Sequence, residues 1–217
     1  MNYTRLCELV NTLDPMRDQC AVRVNRASLL NMENAVPIAV ARNDRFFDGN
    51  QEVFLTREDV FAACAGDDLE RGLLSALYWG YPTNLHGVCS HVHQNYEIII
   101  NLLRNYRNVN LTLDDYHTLW NSVFIPARGV NISTFSKILY FCNARLNGNP
   151  CVIYDNRVKS NILYHLSDEV VFDGLRHAAR MANSYTAYWH YVECVAALAP
   201  VENGTIRSDK VEYVLWL

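Results

Sequence analysis

From Thr56 onward the chain is written in amphipathic stretches of helical period, each opened by a capping residue and closed by a breaker. Thr56 is placed to cap REDVFAACA. Asp67 or Asp68 can cap LERGLLSALYWG, which stops at Gly80 with Pro82 beyond. In VHQNYEIIINLLRNYRN, Tyr96, Ile99, Ile100, Leu103 and Tyr106 fall on one helical stripe. Thr112 and Asp115 form a capping box for TLDDYHTLWNSVF, after which Pro126 and Gly129 interrupt the pattern. Ser133 reopens it as STFSKILYFCNARL, a helix expected to run to near Gly148 and Pro150. Asp155 opens DNRVKSNILYHL after the apolar CVIY, and further helices are expected over 168–183, 185–198 and 207–216. The fold class predicted is mostly α.

The first 55 residues are less regular. LCELVNTL reads as a short helix and VPIAVARN as a strand before the turn-like FDGNQ. With no internal repeat and no Ser- or Gly-rich linker, residues 1–217 are expected to form a single unit, large enough to bury a substantial core. Arg5 and Glu8 interrupt the N-terminus where a signal peptide needs an apolar run, and no segment reaches the roughly eighteen apolar residues of a membrane span. The expectation is a soluble, cytoplasmic protein with no membrane partner.

The seven cysteines contain no C-x-x-C pair, which argues against a disulfide framework, a zinc ribbon or an iron-sulfur centre, so no metal and no cofactor is expected. His91 and His93 stand two apart on a predicted helix and point to different faces. A net charge of −4 argues against indiscriminate coating of nucleic acid. Arg104, Arg107, Arg128, Lys137, Arg145, Arg157 and Lys159 nevertheless concentrate in the middle of the chain, whereas acids are frequent from Asp44 to Glu70. That asymmetry points to local phosphate contact.

Residues 124–162 carry the chemistry. Two helices are joined by a short turn, Lys137 lies just inside the second, and Asp155 follows it by eighteen residues at the opening of another helix. The arrangement resembles the helix-hairpin-helix DNA glycosylases, in which the hairpin grips a phosphate, a lysine sits early in the second helix and an aspartate follows the next loop. YDNRV at 154–158 stands where that superfamily has a valine-aspartate-threonine-histidine-valine type of motif, with Asp155 and Val158 matching. WGYP at 79–82 and SKIL at 136–139 look closer to bacterial relatives of 8-oxoguanine glycosylases than to the iron-sulfur branch. The resemblance spans residues 56–165. It departs at the hairpin, where NISTFS replaces the two glycines usual before the lysine, and Gly129 can serve only in a longer or shifted turn.

The resemblance implies helical lobes flanking a catalytic cleft and a monomer that flips a modified base out of double-stranded DNA and excises it. Lys137 and Asp155 are the implied catalytic pair. A carboxylate can stabilise the oxocarbenium-like transition state of N-glycosidic cleavage, and an amine can attack the anomeric carbon to form a Schiff base, the route to AP lyase activity. Each also has an ordinary structural role, since aspartate caps helices and lysine is common near their starts. Phosphate contacts are assigned to Arg128, Gly129, Ser133, Ser136 and Arg157, and the walls of the base pocket to Trp79, Tyr81, Tyr154 and Trp189, with core packing as the competing role of the aromatics. Trp79 and Tyr81 stand out because the neighbouring Gly80 and Pro82 imply a loop. Oxidised guanine is the default substrate. A modified pyrimidine, such as phage modified cytosine removed in anti-phage defence, a catalytically silent DNA-binding module, and an all-α interaction protein are the alternatives.

Overall fold

The computed structural model describes residues 1–217 except 82–86 and 183. Most of these residues lie in helices. Helix α1 (Tyr3–Thr12) is capped by Asn2, and the single turn α2 (Pro15–Asp18) by Asp14. Strand β1 (Val22–Asn25) pairs antiparallel with β2 (Glu52–Leu55), Val22 opposite Leu55. Between them lie α3 (Leu30–Ala35) and α4 (Ile38–Phe47). The stretch expected as a strand, VPIAVARN, is therefore mainly helical. Its period is set by what it buries, because Ala39, Arg42, Asn43, Phe46 and Phe47 turn inward at helical spacing.

Helix α5 (Arg57–Ala65) begins with a reciprocal capping box: Thr56 Oγ1 accepts from the Asp59 amide at 3.1 Å, and the Asp59 carboxylate accepts from the Thr56 amide at 2.8 Å. Asp68 caps α6 (Leu69–Gly80), which packs extensively on α5. Trp79 thus belongs to the last helical turn rather than to a loop, and Pro82 lies outside the described residues. Helices α7 (Gly87–Gln94) and α8 (Tyr96–Tyr106) follow, with His93 buried and His91 exposed.

Strand β3 (Asn110–Leu111) leads to α9 (Leu113–Leu119), opened by the Thr112–Asp115 capping box. A π-helical turn over Trp120–Phe124 extends it, with the Trp120 and Phe124 rings stacked at 3.9 Å. After the turn at 125–131 comes α10 (Ile132–Phe141), the most buried helix of the molecule, with nine of its ten residues inside. It ends earlier than the sequence suggests. Asn143 and Asn147 take left-handed backbone conformations, and β4 (Arg145–Leu146) and β5 (Asn149–Pro150) form a small hairpin, β4 lying parallel to β3.

The extended segment 151–155 runs into α11 (Asn156–His165), followed by α12 (Asp173–Arg180) and α13 (Tyr185–Leu198). A short hairpin of β6 (Val201–Glu202) and β7 (Thr205–Ile206) precedes α14 (Ser208–Trp216). Helix α14 packs against α1, α11 and α13, bringing the two ends of the chain together. One hydrophobic core runs through the described residues. Among them, no helix is long and apolar enough to cross a membrane.

Candidate active site

Asn131 caps α10 by accepting the Thr134 amide at 3.0 Å, and Lys137 follows on the buried face of the helix. A buried ammonium needs partners. Lys137 Nζ donates to Ser133 Oγ, one helical turn back, at 2.7 Å and to Asp155 Oδ2 at 3.5 Å, and it stands 4.9 Å from the centre of the Tyr81 ring. The lysine stem passes directly over Gly80. An added Cβ there would lie 2.5 Å from Lys137 Cδ and 2.9 Å from Cε, so the path requires the glycine.

Asp155 divides its oxygens between the helix cap and the lysine. Oδ1 caps α11, accepting the amides of Arg157 and Val158 at 3.0 Å each, while Oδ2 faces the lysine. The segment leading to Asp155 is pinned from both sides. Ser136 Oγ accepts the Tyr154 amide at 3.0 Å, and the hydroxyls of Tyr188 and Tyr191 on α13 donate to the carbonyls of Val152 and Ile153 at 2.9 and 3.1 Å. Four tertiary bonds thereby hold the aspartate opposite the lysine, counting their own contact.

Both groups line a cavity of about 450 Å³, within the size range of small-molecule sites. Trp79 and Gly80 contribute from α6, Tyr213 and Trp216 from α14, and Gln19 and Cys20 from the segment before β1. Its polar wall is a fully buried ion pair: Arg57 Nη1 donates to Glu212 Oε2 at 2.9 Å and to the Tyr140 hydroxyl at 2.9 Å, and Arg57 Nε donates to Gln19 Oε1. Burial opposes the charge on Arg57, but Glu212 and Tyr140 outweigh it and hold the guanidinium pKa above its usual value. Burial pushes the Glu212 carboxyl up, against the pull of Arg57. Trp79 packs edge-on against Phe141 at 5.2 Å, and its buried indole N–H has no partner among the described residues. A larger cavity of about 510 Å³, bordered by Tyr140 and Phe141, contains neither Lys137 nor Asp155.

The structure brings together Trp79, Lys137 and Asp155 and corrects several other assignments. Ser133 is engaged by Lys137 and by the Tyr81 hydroxyl, which also reaches Thr134 Oγ1 at 2.8 Å. Ser136 is buried and spends its hydroxyl on the Ser133 carbonyl and the Tyr154 amide, so it presents nothing to a phosphate. Tyr154 is likewise interior. Its ring stacks on Tyr191 at 4.3 Å and its hydroxyl donates to the Ala178 carbonyl at 2.8 Å, which removes it from a base pocket. Trp189 lines a separate cavity with His177 and His190. Arg157 lies over the Trp216 ring, 4.1 Å from its centre, and donates to the Leu217 carbonyl. Arg128 and Gly129 remain exposed in the turn before α10, where Gly129 has φ +83° and the His91 ring occupies the space a Cβ would need.

Sequence reasoning missed Gln19, Arg57, Glu212, Tyr213 and Trp216. Each lies in a stretch whose local pattern is an ordinary helix or turn, and what joins them is contact between distant segments.

The molecule is thus a mostly helical unit in which a lysine and a carboxylate meet at the wall of an aromatic cavity. The family described as "Putative 8-oxoguanine DNA glycosylase OGG-like protein" matches residues 15–216, and the chain belongs to that family. No curated protein and no solved structure matches the chain.

Proposed function

We propose that the protein is a DNA glycosylase that excises a modified base flipped into the 450 Å³ cavity, with Lys137 and Asp155 as its catalytic pair. The observation that carries this reading is the 3.5 Å contact between a buried lysine amine and a capping carboxylate at the cavity wall. It is supported by membership of a family named for 8-oxoguanine glycosylases. Oxidised guanine is the substrate proposed.

As the C1′–N bond breaks, positive charge builds on the deoxyribose, and the fixed Asp155 carboxylate stabilises it. The Lys137 ammonium gives one proton to the departing base, which leaves with the bonding electron pair, and the freed amine lone pair bonds to C1′. Opening of the sugar ring then gives a Schiff base, from which strand cleavage can follow. Trp79 and Trp216 offer faces to the base.

The test is incubation with duplexes carrying 8-oxoguanine or modified pyrimidines, with released bases identified by mass spectrometry and covalent adducts trapped by borohydride. The expected result is release of 8-oxoguanine with a trapped adduct, and Lys137→Gln eliminates trapping because glutamine has no primary amine. Release without trapping by the native protein removes the lyase step and leaves a monofunctional glycosylase. Duplex binding with no base release from any substrate overturns the reading in favour of a silent DNA-binding module.

A further inference from the structure

We infer that Arg57 is a positioning residue that fixes which end of the Gln19 amide faces the cavity, and that Gln19 thereby selects bases carrying a carbonyl, rather than an amine, at the edge it reaches. The inference rests on the base-excision reading above and deepens it to a class of substrate.

The argument begins with what arginine can do. Its Nε–H only donates, so the Gln19 atom facing it is the carbonyl oxygen Oε1. The amide NH2 is then turned away from Arg57. Among the described residues no acceptor takes its hydrogens, and Gln19 lines the same cavity as Lys137 and Asp155. An unanchored glutamine can rotate to offer either end, and so reads little. This one is held by a guanidinium that cannot itself turn, because Glu212 and the Tyr140 hydroxyl take Nη1 from the far side and the side chain is almost fully buried. The cavity therefore presents a fixed donor. A purine with a 6-carbonyl satisfies it, whereas the corresponding 6-amine places donor against donor and leaves both unpaired.

8-Oxoguanine, 8-oxohypoxanthine and 8-oxoadenine test this directly, since the first two carry a carbonyl at C6 where the third carries an amine, and 8-oxohypoxanthine, like 8-oxoadenine, lacks the 2-amino group. Two readouts are compared: excision from otherwise identical duplexes, and binding of the free bases followed by the fluorescence of the cavity tryptophans. The native protein is expected to favour both 6-carbonyl bases over 8-oxoadenine by at least about tenfold. Gln19→Glu, which keeps an acceptor for Arg57 but offers no donor to the base, and Arg57→Met, which removes the donor and so frees the amide to rotate, should each bring the preference within about twofold. Gln19 is half-buried at the cavity edge, so Gln19→Glu carries the test if the Arg57 variant does not fold. Native preference retained in the variants, or none in the native protein by either readout, overturns the inference. Gln19-dependent binding of free 8-oxoguanine without excision of any of the bases sinks the glycosylase reading and leaves the selectivity standing.

Discussion

At Gly80 a methyl group would occupy the space through which the Lys137 stem reaches the cavity, only 2.5 Å from Cδ. Gly80 closes helix α6, where alanine is otherwise the better helix former by about 1 kcal/mol. Gly80→Ala should therefore fold but displace the amine, lowering base release and borohydride trapping by about 100-fold, the scale expected for a misplacement of roughly 1 Å. Native excision rates in that variant would mean that the lysine has another route. Asp155 separates its two roles in a similar way. Asp155→Asn keeps the Oδ1 cap and should melt close to the native protein, yet lose base release with the negative charge. Asp155→Ala should add a stability loss of about 0.5–2 kcal/mol. Equal melting of the two variants would show that the cap contributes nothing.

Elements were legible where their signals are local. The caps at Thr56, Asp68, Thr112 and Asp155 all stand where the residue types suggest, because a cap is settled within four residues. In the α4 stretch Val36, Ile38 and Val40 favour extended chain, and only burial against other helices fixes the helical period. The hairpin after α10 did carry a signal, the Asn147–Gly148 pair that turns the chain at φ +49° and +82°. Lys137 and Asp155, paired by the resemblance, do meet at 3.5 Å, whereas Arg57 and Glu212, 155 residues apart, leave no periodic trace of their pairing. In the turn at 125–131, Arg128 and Gly129 are exposed between the buried Ala127 and Val130. Arg128→Ala should weaken binding to all duplexes alike and flatten the salt dependence, since a phosphate contact carries no base information. A change in base selectivity instead would place Arg128 at the flipped base.

For the whole molecule, His93 links the packing of three helices to pH. From α7 it meets the Tyr78 hydroxyl of α6 at 3.1 Å, and that hydroxyl donates to Asn43 of α4. Burial, reinforced by the charge of Arg42 and opposed by that of Glu70, lowers its pKa to about 4. In the unfolded chain the value returns to about 6.5, so between these limits the unfolded state binds a proton that the folded state refuses. Its contribution is intact above about pH 6.5 and is lost as pH falls towards 4, reaching about 3 kcal/mol at the lower limit. His93→Gln should flatten the loss of melting temperature across that window. Parallel native and variant profiles would assign the acid sensitivity elsewhere.

The meeting of residues 18–22 with 212–216 around one cavity has a kinetic consequence. Synthesis is vectorial, and the Arg57 side chain leaves the ribosome long before Glu212 exists to neutralise it. Until α14 docks, the nascent polypeptide holds an unpaired cation beside an open cavity, and closing that long loop comes late because chain entropy must be lost before the contact repays it. Enclosure of the cavity therefore arrives with α14 rather than growing in step with the chain. A partly made molecule can carry Lys137 and Asp155 in place and still lack the wall that Glu212, Tyr213 and Trp216 supply.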